Sequence, residues 1–145
     1  MNNPLNNMKT IVLFLFCLLT FNAYANEVED WLNKGNDAYI IKDYKQSIKW
    51  YIKAAEQGHV KAQAILGGMY DSGKGVPQDY KQFIKWYKKA AEQGHVLAQS
   101  ILGGIYFAGL EGVPQDYKQA AKWFTKAAEQ GEASAQFYLG MMYGS

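Results

Sequence analysis

The tetrapeptide Asp43-Tyr44-Lys45-Gln46 returns at Asp79-Tyr80-Lys81-Gln82 and again at Asp116-Tyr117-Lys118-Gln119, spacings of 36 and then 37 residues. Trp50, Trp86 and Trp123 keep the same spacings, as do Gly58, Gly94 and Gly131. Self-similarity at a period of this length marks an array, in which each unit buries its apolar face against its neighbours. The one extra residue falls in "GLEGVPQ", against "GKGVPQ" a period earlier, a Gly-rich loop that tolerates insertion.

Each period holds two helical patterns. From Gln78 to Gln93, the residues Tyr80, Phe83, Ile84, Tyr87, Ala90 and Ala91 recur at the spacing of one helix face. Asp79 in the first turn suits the positive end of the dipole, Pro77 stands where a helix can begin, and Gly94 reads as the left-handed stop. From Val96 to Ala108, Ala98, Ile101, Leu102 and Ile105 share a face. Gly103-Gly104 inside that helix costs about 1 kcal/mol per Gly relative to Ala. The pair returns at Gly67-Gly68, which implies a close helix approach. The third copy has Gly140 followed by Met141, so only the first glycine of the pair is tied to packing. Trp50, Trp86 and Trp123 read as core residues.

The first 25 residues are of different material. Lys9 is followed by an apolar run of about 11 residues, Ile11 to Phe21, and then by Ala23-Tyr24-Ala25, the pattern of a secretory signal peptide. The run itself is shorter than the roughly 20 residues of a membrane span; the alternative is an uncleaved N-terminal anchor. Phe16 before Cys17 does not suit a lipoprotein box. Cleavage after Ala25 removes the single cysteine, leaving no thiol for a disulfide or a metal. The net charge is only +2 and every basic residue is Lys, so neither nucleic acid nor an anionic surface is indicated.

These residues resemble the Sel-1-like repeat, a relative of the tetratricopeptide repeat. Its pattern is met at Ala62, Leu66-Gly67, Tyr70, Gly73, Gly75-Val76, Asp79-Tyr80, Trp86 and Ala90-Ala91-Glu92-Gln93-Gly94. The units run 59–94, 95–131 and, in part, 132–145. The opening pair, 26–58, is more like a tetratricopeptide unit, with Trp31-Leu32, Gly35, Ala38 and Tyr39. The resemblance implies an all-α fold: about seven helices in antiparallel pairs, stacked as a right-handed α-solenoid.

The recurring Glu, Gln and His of "KAAEQGHV" are the nearest thing to a reactive cluster. His59 and His95 occupy equivalent positions, too far apart to share a metal, and the third copy has Glu132. Glu56-Gln57, Glu92-Gln93 and Glu129-Gln130 recur in every unit, which favours helix-end solvation or capping over an acid–base pair. Gly73-Lys74-Gly75 lacks a phosphate-loop context and is a turn, and no catalytic or cofactor motif is present. No enzyme activity, cofactor or metal is expected. The resemblance carries one alternative, because some cysteine-rich members of the family are linked to β-lactam binding or hydrolysis; their cysteine pairs have no counterpart here.

Binding is the better reading. On the first helix of each unit the core takes 62, 65, 66 and 69, while 61, 64, 68 and 71 cluster on another face by the 100° step. That face changes from Lys61, Ala64, Gly68, Asp71 to Leu97, Ser100, Gly104, Phe107 and then to Ser134, Phe137, Met141, Gly144. In tetratricopeptide relatives the first helices line the concave surface. Lys61, Asp71, Leu97, Ser100, Phe107, Phe137 and Met141 are therefore the candidate partner-binding residues, with an apolar partner segment at the C-terminal half. The competing account has Phe137 and Met141 packing against an absent neighbour. In the same way Tyr138, Leu139 and Met142 are exposed unless self-association or a partner chain covers them, or the reading frame is truncated and a further helix follows. The expectation is a bacterial protein-interaction scaffold, periplasmic or secreted, acting in the envelope or on host proteins.

Overall fold

In the computed structural model the described residues are 4–110 and 112–144; the first three residues, Glu111 of the inserted loop and Ser145 lie outside them. Among the described residues there are seven helices: α1 (Pro4–Ile40), α2 (Tyr44–Glu56), α3 (Val60–Ser72), α4 (Tyr80–Glu92), α5 (Val96–Ala108), α6 (Tyr117–Glu129) and α7 (Ala133–Tyr143). Each packs on the next in chain order, and α5 also touches α7. This is the expected all-α solenoid of helix pairs. Among the described residues the one extended pairing is an isolated bridge between Leu110 and Val113, at the loop that carries the extra residue.

The repeated Asp-Tyr-Lys-Gln begins every second helix. Asp43, Asp79 and Asp116 each stand one residue before the helix, and their carboxylates accept from the backbone N–H groups of Gln46, Gln82 and Gln119 at 3.1, 3.1 and 3.0 Å. Asp79 is thus the cap and not, as its sequence position indicates, a first-turn residue. At the other end the chain reverses at a glycine; Gly94 has φ +91°, a conformation that strains any residue with a Cβ.

Burial follows the array. Tyr51, Leu66 and Trp86 belong to one apolar cluster, Phe83, Leu102 and Trp123 to the next, and Phe124 with Ala135 to a third. Each tryptophan therefore packs back against the unit before it. Trp50 departs from the expectation: it is only half-buried, because among the described residues no helix pair precedes α1 and α2. The ammonium groups of Lys34 and Lys53 cover its ring instead, at 5.1 and 4.6 Å from the centroid.

No break separates Ala25 from Asn26; one helix of 37 residues carries the apolar run directly into the first repeat helix. Its described part up to Glu27 is exposed, and burial begins at Val28. By length and composition alone the helix that carries the run passes the test for a membrane span, a test that signal sequences near an N-terminus pass as well.

What sets the spacing within each pair is a ring against a glycine. A Cβ placed on Gly35 would lie 2.7 Å from Cδ1 of Tyr51, and one on Gly103 would lie 2.5 Å from Cδ1 of Phe124. Gly67 stands in the same relation to the Tyr87 ring. The second glycine of each pair is different, since a Cβ on Gly104 meets nothing within 4 Å. The expectation that only the first glycine serves packing is met. Gly67→Ala and Gly103→Ala should each destabilise by about 1–3 kcal/mol, while Gly104→Ala should gain about 0.5–1 kcal/mol from helix propensity. Urea denaturation of the single variants checks this. Trp86→Ala and Trp123→Ala should cost about 3–5 kcal/mol by the same measurement, and Trp50→Ala distinctly less.

Candidate functional site

The opening residues of α3, α5 and α7 explain the recurring His. His59 and His95 stand at the caps, where Nδ1 accepts from the backbone N–H groups of Ala62 and Ala98 at 3.3 and 3.2 Å. An imidazole that accepts at Nδ1 carries its proton on Nε2, and His59 presents that nitrogen to Glu29 Oε2 at 3.0 Å. In the third copy Glu132 does the same work, with Oε2 accepting from Ala135 N–H at 2.7 Å. The Ser134 hydroxyl, first, and this N–H hold the Glu132 carboxyl below its ordinary range. Among the described residues no three His, Cys, Asp or Glu side chains converge as metal ligands.

The glutamines do more than the sequence reading assigns to them. Gln93 Nε2 donates across the joint to the Gly58 carbonyl at 3.1 Å and to Gln63 Oε1 at 2.8 Å. Gln63, buried at 3 % exposure, passes its own Nε2 to the Ala55 carbonyl at 3.1 Å. One unit on, Gln130 binds the Gly94 carbonyl and Gln99 Oε1 at 3.1 and 2.8 Å, and Gln99 binds the Ala91 carbonyl at 3.0 Å. Gln57, at the first joint, meets the Tyr24 hydroxyl instead. These bonds fasten unit to unit. The signal was present in the recurrence of Gln63, Gln99 and Gln136, but periodicity alone does not tell a buried polar pair from a solvated one.

The seven candidate binding residues do not form one continuous patch. Lys61 and Leu97 come together with Ala64, Gly68 and His95 around a pocket of 370 Å³ between α3 and α5. Phe107 and Met141 line a second pocket, of 330 Å³, with Tyr117 and Met142. Ser100 joins α5 to α7, its hydroxyl donating to Glu132 Oε2 at 3.1 Å and lying 3.2 Å from Ser134 Oγ. Asp71 is exposed beyond the first pocket, and its carbonyl accepts from Gln78 Nε2 at 2.6 Å.

Exposure divides them further. Leu97 is 61 % exposed, Phe137 63 % and Met141 46 %, large apolar side chains facing water. Phe107 is half-buried, its ring 5.5 Å from both Tyr117 and Tyr138, so it supports the core as much as the surface. Tyr138, Leu139 and Met142 are half-buried against α6 and not fully exposed, with Tyr138 stacked on Phe124 at 4.9 Å.

The Sel1 repeat family matches residues 24–59, 60–95, 96–132 and 133–145. The chain belongs to the Sel1 repeat family. The match includes the opening pair, which the sequence reading places nearer the tetratricopeptide pattern. Among solved structures, the chain is similar to a protective antigen of uropathogenic Escherichia coli displaying an SLR fold, with TM-score 0.72 and 36 % identity over 83 % of this chain and 27 % of that one. It is similar also to a Sel1 repeat protein of Oxalobacter formigenes, with TM-score 0.65 and 40 % identity over 68 % of this chain and 40 % of that one. Cysteine-rich protein B of Helicobacter pylori matches with TM-score 0.59 and 32 % identity, over 63 % of this chain and 68 % of that one. The chain thus spans less than half the length of the first two. No curated protein matches it. Sel1 repeats are generally scaffolds for protein–protein interaction.

Two tests follow from the joint. Gln130→Ala leaves Gln99 Oε1 without its donor and should cost about 1–3 kcal/mol, read from urea midpoints. The lowered Glu132 carboxyl contributes stability that is fully present above its unfolded value, about 4, and is lost as pH falls through the lower folded value. The difference in urea midpoint between the wild type and Glu132→Ala should therefore shrink between pH 6 and about pH 3.

Proposed function

We propose that this Sel1 repeat chain is an exported scaffold that binds an apolar segment of a partner protein along its first-helix face. The observation that carries the reading is a contrast within the repeats. The joint is kept from unit to unit, whereas equivalent positions of the first-helix face change from Lys61 to Leu97 to Ser134 and from Asp71 to Phe107 to Gly144. Leu97 between α3 and α5, with Phe137 and Met141 on α7, offers apolar side chains to water where a packed array needs none. Asp71 and Lys61 supply a polar flank that would set the direction of a bound segment.

Export rests on Lys9, the apolar run and Ala23-Tyr24-Ala25. The reading places the protein in the bacterial periplasm or outside the cell, working in an envelope complex or on a host protein. Self-association through α7 is a second use of the same apolar end, distinguished by light scattering. We take the chain to be no enzyme. Its one cysteine, Cys17, cannot form an intrachain disulfide, which sets it apart from cysteine-rich members of the family.

Leu97→Ser and Phe137→Ser should keep the helical spectrum and melting temperature yet weaken capture of a crosslinked partner from the native envelope by about tenfold or more. Undiminished capture by both variants would contradict the groove. Turnover of nitrocefin or peptidoglycan by the pure mature protein would contradict the non-enzymatic reading.

A further inference from the structure

The three joints differ in where each finds a carboxylate. At the first, Glu29 Oε2 on α1 faces His59 Nε2 at 3.0 Å. At the third the carboxylate is the cap itself, Glu132, whose Oε2 accepts from the hydroxyls of Ser100 and Ser134 at 3.1 and 2.6 Å. The second joint holds only donors. His95 Nδ1 accepts from Ala98 N–H at 3.2 Å, which leaves the proton on Nε2, and among the described residues no acceptor meets that nitrogen. The place of Glu29 is taken by Lys61, six residues before Gly67 as Glu29 is six before Gly35. The ion pairs among the described residues are Lys34 with Asp30 and His59 with Glu29, so Lys61 has no carboxylate of its own. Lys61 and His95 both line the 370 Å³ pocket between α3 and α5, whose apolar wall includes Ile65, Leu97 and Ile101.

We infer that this pocket takes a glutamate side chain of the partner segment, its carboxylate between His95 Nε2–H and the Lys61 ammonium and an adjoining apolar residue against Leu97. The inference rests on the reading of Leu97 as a partner contact and names the chemistry beside it. The first joint is the template. There a cap histidine, through the nitrogen it does not use for capping, holds a side-chain carboxylate brought by a neighbouring helix. At the second joint the chain puts a cation where that anion stood, and the carboxylate comes from the partner.

The donor set suits one carboxylate. An ammonium is a point charge on a flexible stem and imposes no plane, so one oxygen is free for the imidazole N–H and the other for Lys61. Asp71 does not neutralise the site from within. It lies ten residues further along α3, about 15 Å at the helical rise, beyond the reach of an exposed ion pair.

The probe is the capped peptide acetyl-Leu-Glu-Leu-amide, set beside acetyl-Leu-Gln-Leu-amide and an acetyl-Leu-Gln-Leu that has only a C-terminal carboxylate. The chain has two histidines, His59 and His95, so imidazole resonances in proton–nitrogen NMR spectra report each joint separately. Titration into the intact chain should shift the His95 signals saturably, while those of His59, engaged by Glu29, stay in place. The glutamate peptide should bind at submillimolar Kd, about fivefold or more tighter than the other two. Lys61→Met should remove that advantage and leave the capped glutamine peptide unaffected. Lys61→Glu restores the pairing of the first joint and should block the glutamate peptide. Lys61 is exposed, so both variants keep the core intact. Leu97→Ser should weaken all three peptides alike. Equal binding of the two capped peptides, lost in Leu97→Ser, would overturn the inference and leave the apolar reading standing. Preference for the free C-terminus would overturn it too, by assigning the pocket to a chain end. So would absence of saturable binding up to about 5 mM, while partner capture by Leu97→Ser reports on the apolar reading separately.

Discussion

An aromatic ring occupying the place of a missing Cβ governs the geometry of this solenoid. Tyr51 on Gly35, Tyr87 on Gly67 and Phe124 on Gly103 bring the two helices of each pair closer than any larger residue allows. A glycine inside a helix is a local penalty of about 1 kcal/mol, so its return in every unit is intelligible only through the packing it permits. Once the pair is drawn together, the tryptophan beside the ring is turned back onto the preceding unit, and the glutamine beyond it reaches the joint. Local pairing and unit-to-unit stacking thus arise from one contact.

The joints are polar for a reason connected with this. A stack held only by apolar faces would slide, since hydrophobic burial has no direction. Gln63 and Gln99 are almost wholly buried, and each is bonded both to a carbonyl of the preceding pair and to a glutamine at the end of the following helix. A buried amide with both ends satisfied stabilises one register and penalises others, which leave it unpaired. The histidines at the caps are part of the same joint and are replaceable there: Glu132 satisfies the N–H group that His59 and His95 satisfy in their own copies.

Much of the architecture was legible in the residues. The period, the helix pairs, the glycine stops and the special role of the first glycine of each pair followed from spacing alone, because these are demands on the backbone and recur wherever the backbone does. The misreadings share a physical origin. Trp50 has much the same neighbours in sequence as Trp86, but among the described residues no helix pair precedes its own, and periodicity does not report what a ring packs against. The candidate face was legible as a set of positions, but not in its division. Phe107 is drawn into an aromatic cluster with Phe124 and Tyr138, while Leu97 and Phe137 remain in water. The buried glutamine pairs needed three-dimensional adjacency, which a spacing of 30 or 31 residues between partners does not reveal.

The central claim is that ring and glycine act as one element, and a double-mutant cycle on Gly103 and Phe124 tests it most directly. Urea denaturation of Gly103→Ala, Phe124→Ala and the double variant gives the coupling energy. The account predicts that Gly103→Ala is destabilising beside Phe124 but neutral or stabilising once the ring is gone, a coupling of about 1–3 kcal/mol. An equal cost for Gly103→Ala in both backgrounds would mean that the glycine serves some other purpose, and the account would fail at its base.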